Sequence, residues 1–196
     1  KEQLQQSQIT YWCHSIIKSQ AESGGTYIDA TMGNGHDTLF LCQMAGDKGS
    51  VWAFDIQEQA LEATKALLAE HGYGKNVHLI KDGHENMDRY LAPQMADVIC
   101  FNFGYLPGGD HGIATKPETS QEAVRKGLEI LRPGGIMSLC IYSGKDTGFE
   151  EKERLLAYLQ ELPAERFTVI ASEYRNRKNN PPIPVFVFKD ASNQRD

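Results

Sequence analysis

The sequence predicts an α/β protein built on a mostly parallel, seven-stranded sheet with an antiparallel last strand. Short β-type runs alternate with helical stretches along most of the chain, which is typical of a parallel sheet with helices on its faces. The last two β-type runs differ, because a polar loop joins them and no crossover helix separates them. Strands joined in this way are expected to be antiparallel neighbours.

The predicted elements follow in order along the chain. A polar helical opening covers about 10–21, and a glycine turn separates the first strand, TYIDA at 26–30, from a helix of sequence HDTLFLCQMA. Apolar, β-branched and aromatic runs predict the remaining strands at 50–55, 77–81, 96–101, 135–141, 167–173 and 184–189. The remaining helices are predicted at 57–71, 119–131 and 149–162. The helix at 119–131 is expected to stop at Arg132-Pro133-Gly134-Gly135, because proline and glycine end helices.

Length and composition predict one folded domain. The chain has 196 residues, of which 40% are hydrophobic and 23% are charged, as is ordinary for a globular protein. We expect a single domain over 1–196, with an N-terminal helical region over 1–25 and a frayed tail over 190–196. Intrinsic disorder, collagen-like fibres and disulfide scaffolds are excluded.

Charge and cysteine usage narrow the function classes. The formal net charge is −6, which argues against sequence-independent binding to a phosphate backbone but allows a local basic patch. The four cysteines form no CxxC pair. We therefore predict neither a zinc knuckle nor a redox motif, and no bound metal. No apolar run is long enough to span a membrane. We expect a cytoplasmic protein without a membrane partner, as a monomer or a homodimer.

The glycine turn after the first strand is the first candidate for ligand binding. Gly33 and Gly35 let the backbone turn tightly and approach a ligand without a Cβ atom in the way. The dinucleotide fingerprint has a third glycine where this chain has Thr38, which weakens an NAD interpretation. The carboxylate of Asp29 suits a ligand with a cationic amine better than a pyrophosphate. Alternatively, the glycines serve only a turn that needs positive φ and bind no ligand. The predicted ligand contacts are Asp29, Thr31, Gly33, Asn34, Gly35, Asp37 and Thr38.

The next two strand ends also carry polar residues. Asp55 ends the second strand, where a carboxylate can accept both hydroxyls of a ribose, with Gln57 nearby; the alternative is that Asp55 caps the following helix. Asp82-Gly83-His84 ends the third strand and is predicted to meet an adenine, although a lone histidine is often structural. These signals converge on the edge of the sheet where open α/β folds bind ligands.

Together these strand ends resemble class I S-adenosylmethionine-dependent methyltransferases. More narrowly, the chain resembles the YtqB-like family, also called MnmM, in DATMGNGHDT, FDIQ, KDGHENMD, NFGYLPGGDH, TKPET, YSGKDTGFEEKE and NNPP. The resemblance implies a Rossmann-like three-layer sandwich that uses S-adenosyl-L-methionine. It also implies methylation of the amine of 5-aminomethyl-2-thiouridine at the wobble position of tRNA, with the anticodon stem-loop as partner. Ribosomal RNA is the alternative substrate, and composition does not separate the two.

The segment after the fourth strand is the predicted reaction site. Asn102-Phe103-Gly104-Tyr105 resembles the Asn-Pro-Pro-Tyr motif of methyltransferases that act on exocyclic amines, with Gly104 as a departure. Transfer from a sulfonium is an in-line displacement, so the amine lone pair must point at the methyl carbon. The Asn102 oxygen can aim it without a full negative charge, which would favour an ammonium. Asn102 and Tyr105 are the predicted catalytic residues, Tyr105 by stacking on a flipped base. Alternatively, Asn102 only hydrogen-bonds the loop backbone.

A basic loop follows the sixth strand at the same predicted edge. It contains Arg175, Arg177 and Lys178 in an acidic protein. Arginine can pair with phosphates or stack on an unpaired base, and asparagine can read base edges. The alternative is a solvated charged loop, and close family members usually carry Gln at position 177. The predicted RNA-binding residues are His111, Tyr142, Arg175, Arg177, Lys178 and Asn179.

Two other function classes remain as rivals. An NAD-dependent oxidoreductase is disfavoured by Thr38, by the late antiparallel strand and by Asn102 after the fourth strand. A non-catalytic RNA-binding module is disfavoured by the intact Asp55, the glycine pair and Asn102. A test of whether the purified protein binds S-adenosylhomocysteine or NADH separates the first rival from a methyltransferase.

Overall fold

Seven strands form one sheet in the computed structural model, which describes residues 2–104, 116–144 and 148–191, with side chains from residue 8 onward. The sheet order is β3-β2-β1-β4-β5-β7-β6. The first five strands pair in parallel, and β7 runs antiparallel to both β5 and β6. The predicted antiparallel last strand is confirmed. The strands are Thr26–Asp29, Ser50–Asp55, Val77–Lys81, Ala96–Phe103, Leu131–Ile141, Phe167–Ala171 and Ile183–Lys189.

Helices connect the parallel strands, as the alternating pattern predicted. The α-helices, α1 to α5, are Glu2–Gln20, His36–Ala45, Glu58–Glu70, Pro117–Ile130 and Phe149–Gln160. A 3₁₀ helix over His84–Arg89, which was not predicted, follows β3. Within the described ranges, no helix combines the length and the apolar character needed to cross a membrane.

Two boundaries differ from the prediction. No loop separates α4 from β5, because the strand begins at Leu131, directly after the helix. The expected Pro-Gly-Gly stop instead lies inside an irregular part of β5, where Gly134 has a φ of 85° and the register against β4 shifts. In addition, β4 continues to Phe103, so Asn102 belongs to a strand and not to a loop.

The core lies on both faces of the sheet. Successive β4 side chains alternate between the faces: Ile99 and Phe101 pack with residues of α4 and α5, whereas Val98 and Cys100 pack with residues of α1 and α2. Asn102 continues the second series, so its side chain points to the face that carries α1 and α2. The three-layer α/β arrangement of the prediction is confirmed.

Candidate active site

A cavity of about 1090 Å³ opens at the carboxyl ends of β1, β2 and β4. The chain reverses its direction of strand addition between β1 and β4, and open α/β sheets bind ligands at such a point. Most of the described ligand-site residues predicted from sequence line this cavity. They are Thr31, Gly33, Asn34, Gly35, Asp37, Asp55, Gln57, Asp82, Gly83, His84, Asn102 and Tyr142.

The glycine turn is tied to its neighbours by hydrogen bonds. Gly35 has a φ of 87°, and a Cβ atom there would lie 2.7 Å from Thr64 Oγ1, so this position requires glycine. The Thr64 hydroxyl donates to the Gly33 carbonyl at 3.1 Å. The Gly33 amide donates to Asp55 Oδ2 at 3.0 Å, which joins the turn to the end of β2. The turn is therefore fixed to the end of β2 and to α3.

Asp29 lies beneath the turn and not on the cavity wall. Its side chain is fully buried and accepts hydrogen bonds from the Thr31 amide at 3.2 Å and from Thr38 Oγ1 at 2.6 Å. Burial, together with the nearby Asp37 carboxylate, raises the pKa of Asp29 to about 7. Asp29 and Thr38 were predicted to contact the ligand, but here they support the turn from below. The carboxylate of this segment that lines the cavity is that of Asp37.

The raised pKa of Asp29 predicts a pH-dependent stability. The folded state keeps a proton on Asp29 that the unfolded chain releases near pH 3.8. The free energy of unfolding of the wild type therefore decreases as the pH rises from about 3.8 toward about 7. Asp29→Asn should therefore gain stability relative to the wild type over that interval, by at most about 4 kcal/mol. Urea unfolding from about pH 4 to about pH 7 measures the difference. The exposed Asp47→Asn is the control, and an equally flat difference for both variants would contradict the assignment.

The Asp55 carboxylate lines the cavity and can accept further hydrogen bonds. Its Oδ1 atom accepts from the Gln57 amide at 3.0 Å, in addition to the bond from Gly33 to Oδ2. Each carboxylate oxygen can accept more than one hydrogen bond, and the side chain is only partly buried. The N-cap of α3 is Gln57, so Asp55 is not the capping residue that the alternative required. Its position suits two ribose hydroxyls.

The end of β3 forms a second wall. Asp82 accepts hydrogen bonds from Asn86 Nδ2 at 2.8 Å and from the Tyr90 hydroxyl at 2.9 Å, and the bond from Asn86 contributes most to lowering the pKa of Asp82. His84 is buried beside Phe101, and burial lowers its pKa, so the neutral ring is favoured. Asp82 thus organises the 3₁₀ helix, while Gly83 and His84 supply a wall for a flat ring.

Asn102 is held from two sides. Its backbone amide donates to Thr31 Oγ1 at 2.7 Å, and its Nδ2 atom donates to Asp37 Oδ2 at 2.8 Å. Asp37 Oδ1 lies 2.7 Å from His14 Nε2. Burial opposes ionisation of Asp37, but the bonds from His14 and Asn102 outweigh it and lower the pKa of Asp37. The Asn102 side chain therefore bonds a carboxylate and not the loop backbone, contrary to the alternative.

Gly104 explains the departure from the Asn-Pro-Pro-Tyr pattern. Its φ is 84°, and a Cβ atom there would lie 2.5 Å from the Tyr142 carbonyl oxygen. Proline fixes φ near −65°, so it cannot occupy this position in this backbone. Tyr105 and His111, predicted to act on the substrate, lie outside the described residues.

One face of α1 also lines the cavity, which the sequence interpretation missed. Thr10, His14 and Lys18 recur at a spacing of four residues and so share a helix face. Tyr11 lines the same cavity and is 76% exposed. Ile56, next to Asp55, is a further missed lining residue and is 66% exposed. The helical spacing was the available signal for α1, since no motif marks these residues.

The predicted RNA-binding residues fall into two groups. Tyr142 lines the cavity and packs with Ile9 and Tyr174. Arg175, Arg177, Lys178 and Asn179 are exposed in the loop after β6. That loop leaves the sheet at the same edge as the cavity, because β6 runs parallel to β5 with β7 between them. Tyr174, at the start of this loop, packs against a cluster that includes Ile9 of α1.

The strand order, the antiparallel β7 and the glycine turn after β1 define a class I S-adenosylmethionine-dependent methyltransferase. Comparison with known proteins agrees. Residues 51–188 match the family model described as "Putative rRNA methylase", and the chain belongs to that family.

Relatives of known structure or name support this assignment. The tRNA (mnm(5)s(2)U34)-methyltransferase of Arabidopsis thaliana, a chloroplastic protein, is 37% identical over 186 residues, which cover 90% of this chain and 67% of the relative. A "putative rRNA-methylase" from Clostridium thermocellum is 44% identical with a TM-score of 0.86, over 96% of this chain and 98% of that one. A Streptococcus mutans "putative methyltransferase" in complex with SAH is 36% identical with a TM-score of 0.82, over 92% and 97%.

Proposed function

We propose that this methyltransferase acts on tRNA and converts the amine of 5-aminomethyl-2-thiouridine at the wobble position to its methylamino form. The observation that carries the proposal is the position of Asn102, whose amide is held at the wall of a cavity that fits the cofactor. The name of the Arabidopsis thaliana relative supports the same substrate. The proposed reaction belongs to tRNA maturation, for which we propose a cytoplasmic setting.

The residues at the strand ends fit S-adenosylmethionine. At about 1090 Å³ the cavity is at the upper end of ligand pockets, which leaves room for an acceptor beside a cofactor. Asp55 and Gln57 would hold the ribose, Gly83 and His84 the adenine, and the turn from Gly33 to Gly35 the methionine portion. When bound, the cofactor supplies a methyl group on a positively charged sulfur.

The protein's contribution to the reaction is to orient a neutral amine. Asn102 Oδ1 can accept an N–H of the acceptor and so direct the nitrogen lone pair toward the methyl carbon. A neutral amide serves better than a carboxylate, which would stabilise the protonated amine that has no lone pair. His84, buried and favoured in its neutral form, adds no positive charge to the cavity wall.

The surface next to the cavity supports an RNA substrate. Tyr11 and Trp12 are 76% and 47% exposed on α1, and exposed aromatic rings suit stacking on unpaired bases. Arg175, Arg177 and Lys178 are exposed in the neighbouring loop and can pair with phosphates. An anticodon stem-loop offers both unpaired bases and a flanking phosphate backbone.

Neutralising the basic loop tests the RNA contact. The triple variant Arg175→Gln, Arg177→Gln and Lys178→Gln should bind tRNA more weakly, and the dependence of its affinity on salt should flatten, because fewer counterions are released. Affinity for S-adenosylhomocysteine should stay at the wild-type value. Fluorescence anisotropy with labelled tRNA over a salt series measures both quantities. Wild-type affinity and salt slope in the triple variant would mean that RNA binds elsewhere.

A choice between RNA classes tests the proposed substrate. The enzyme is incubated with labelled S-adenosylmethionine and with either tRNA or ribosomal RNA from a strain that lacks the enzyme. We expect label in tRNA only. Incorporation into ribosomal RNA alone would overturn the tRNA assignment and favour the activity for which the family is described.

A further inference from the structure

We infer that Asp37, held by His14, determines which end of the Asn102 amide faces the cavity. Asp37 and His14 are thus positioning residues for the acceptor, and they act through Asn102. The inference rests on the proposed function, because it concerns how the same site receives an amine.

Three elements meet at this point. Asn102 lies near the end of β4, Asp37 in the first turn of α2 and His14 in α1. The three side chains form a chain of hydrogen bonds, 2.7 Å from His14 Nε2 to Asp37 Oδ1 and 2.8 Å from Asn102 Nδ2 to Asp37 Oδ2. The His14 ring is stacked on Phe40, with centroids 3.8 Å apart and 5° between the planes. These contacts fix the carboxylate in one orientation.

The direction of the hydrogen bonds gives Asp37 its effect. An ionised carboxylate only accepts, so it selects the NH₂ end of the Asn102 amide. The carbonyl end must then point away from Asp37, which leaves Oδ1 as the acceptor that Asn102 can offer to a substrate. The terminal torsion of asparagine is broad and roughly two-fold, so the amide itself would not maintain this choice.

Exchanging donor and acceptor tests the inference. In Asp37→Asn with the proton kept on His14 Nε2, this atom donates to the residue 37 oxygen, so the residue 37 NH₂ group faces Asn102 and turns the Asn102 NH₂ group into the cavity. We expect the single-turnover rate to fall about 100-fold, with affinity for S-adenosylhomocysteine near the wild-type value. In the double variant Asp37→Asn, Asn102→Asp, the carboxylate at 102 accepts from residue 37 and again presents an oxygen. Compared on the high-pH plateau of each rate–pH profile, where the acceptor amine is neutral, the double variant should react at least about tenfold faster than Asp37→Asn.

Two control variants separate orientation from packing. His14→Phe keeps a ring to stack on Phe40 but removes the donor to Asp37, so its rate should fall although its melting temperature stays near the wild-type value. The exposed Asp47→Asn removes one carboxylate beyond the C-terminal end of α2, at the opposite end of the helix from Asp37, and should react at the wild-type rate. If Asp47→Asn lost as much rate as His14→Phe, the loss would be a general effect of charge or folding, and the inference would be overturned.

A measurement without RNA keeps this inference distinguishable from the proposed function. In enzyme labelled with ¹⁵N-asparagine, the side-chain NH₂ signals of Asn102 are identified by their loss in Asn102→Ala. Asp37→Asn should shift these signals, because the bond to a carboxylate is lost. An enzyme that ignores tRNA but shows this shift would refute the substrate and support the inference. The inference would be overturned if the Asn102 signals did not move or if the double variant recovered no rate. It would also be overturned if saturating cofactor restored the rate of Asp37→Asn, because Asp37 would then be a cofactor contact.

Discussion

Asn102→Ala is expected to slow methyl transfer about 100-fold in a single turnover, because the acceptor amine loses the group that directs its lone pair. The affinities for S-adenosylmethionine and for tRNA should change little, since Asn102 contributes orientation and not binding energy. Rapid-quench measurement of methylated tRNA gives the rate, and circular dichroism verifies the fold. A variant as fast as the wild type would show that Asn102 does not position the amine.

Asn102→Asp carries the same argument into the pH dependence. A carboxylate beside the substrate would stabilise its ammonium form and raise the pKa of the amine, so the rate–pH profile should move to higher pH. An imide or hydroxyl acceptor would give no such amine-linked displacement. An unmoved profile would therefore refute an amine acceptor at this position.

The second large effect is expected at Asp55. Asp55→Ala should lower the affinity for S-adenosylmethionine at least about tenfold, because two charge-assisted hydrogen bonds to the ribose, each about 1.5–3 kcal/mol, are lost. The variant also removes the acceptor of the Gly33 amide, which holds the glycine turn against β2. Isothermal titration with S-adenosylhomocysteine measures the loss.

Glu58→Ala is the matched control for this measurement. Glu58 lies three residues further along the chain, pairs with Lys81 at 3.0 Å and is 59% exposed. Its removal changes the local charge equally but leaves the cavity lining intact. Equal losses in Asp55→Ala and Glu58→Ala would assign the effect to charge alone, and unchanged affinity in a folded Asp55→Ala would refute the ribose assignment.

Much of this site was predictable because many of the residues that line the cavity follow the ends of parallel strands. A strand end is readable as an apolar run that stops at a polar residue, and sheet topology brings such ends together. Asp55, Gly83, His84 and Asn102 were found in this way, and all four line the cavity. The antiparallel β7 was equally readable, since a connection without a helix excludes a parallel crossover.

Contacts between distant segments of the chain could not be predicted from the sequence. His14 lies 23 residues from Asp37, and Asp37 lies 65 residues from Asn102, so no local pattern connects them. The extension of β4 to Phe103 was missed because a polar residue in the pattern suggested the strand's end. Asp29 illustrates another limit: its position at a strand end suggested ligand contact, whereas burial beneath the turn depends on how α2 packs.

Methylation of the wobble amine is measured directly on an anticodon stem-loop that carries 5-aminomethyl-2-thiouridine as its only modified nucleoside. The enzyme is supplied with S-adenosylmethionine bearing a deuterated methyl group, and the digested product is fragmented by mass spectrometry. We expect one deuterated methyl group on the side-chain amine, and no such group when the stem-loop carries 2-thiouridine instead. A methyl group on the ring, on the ribose, or on both substrates alike would contradict this expectation.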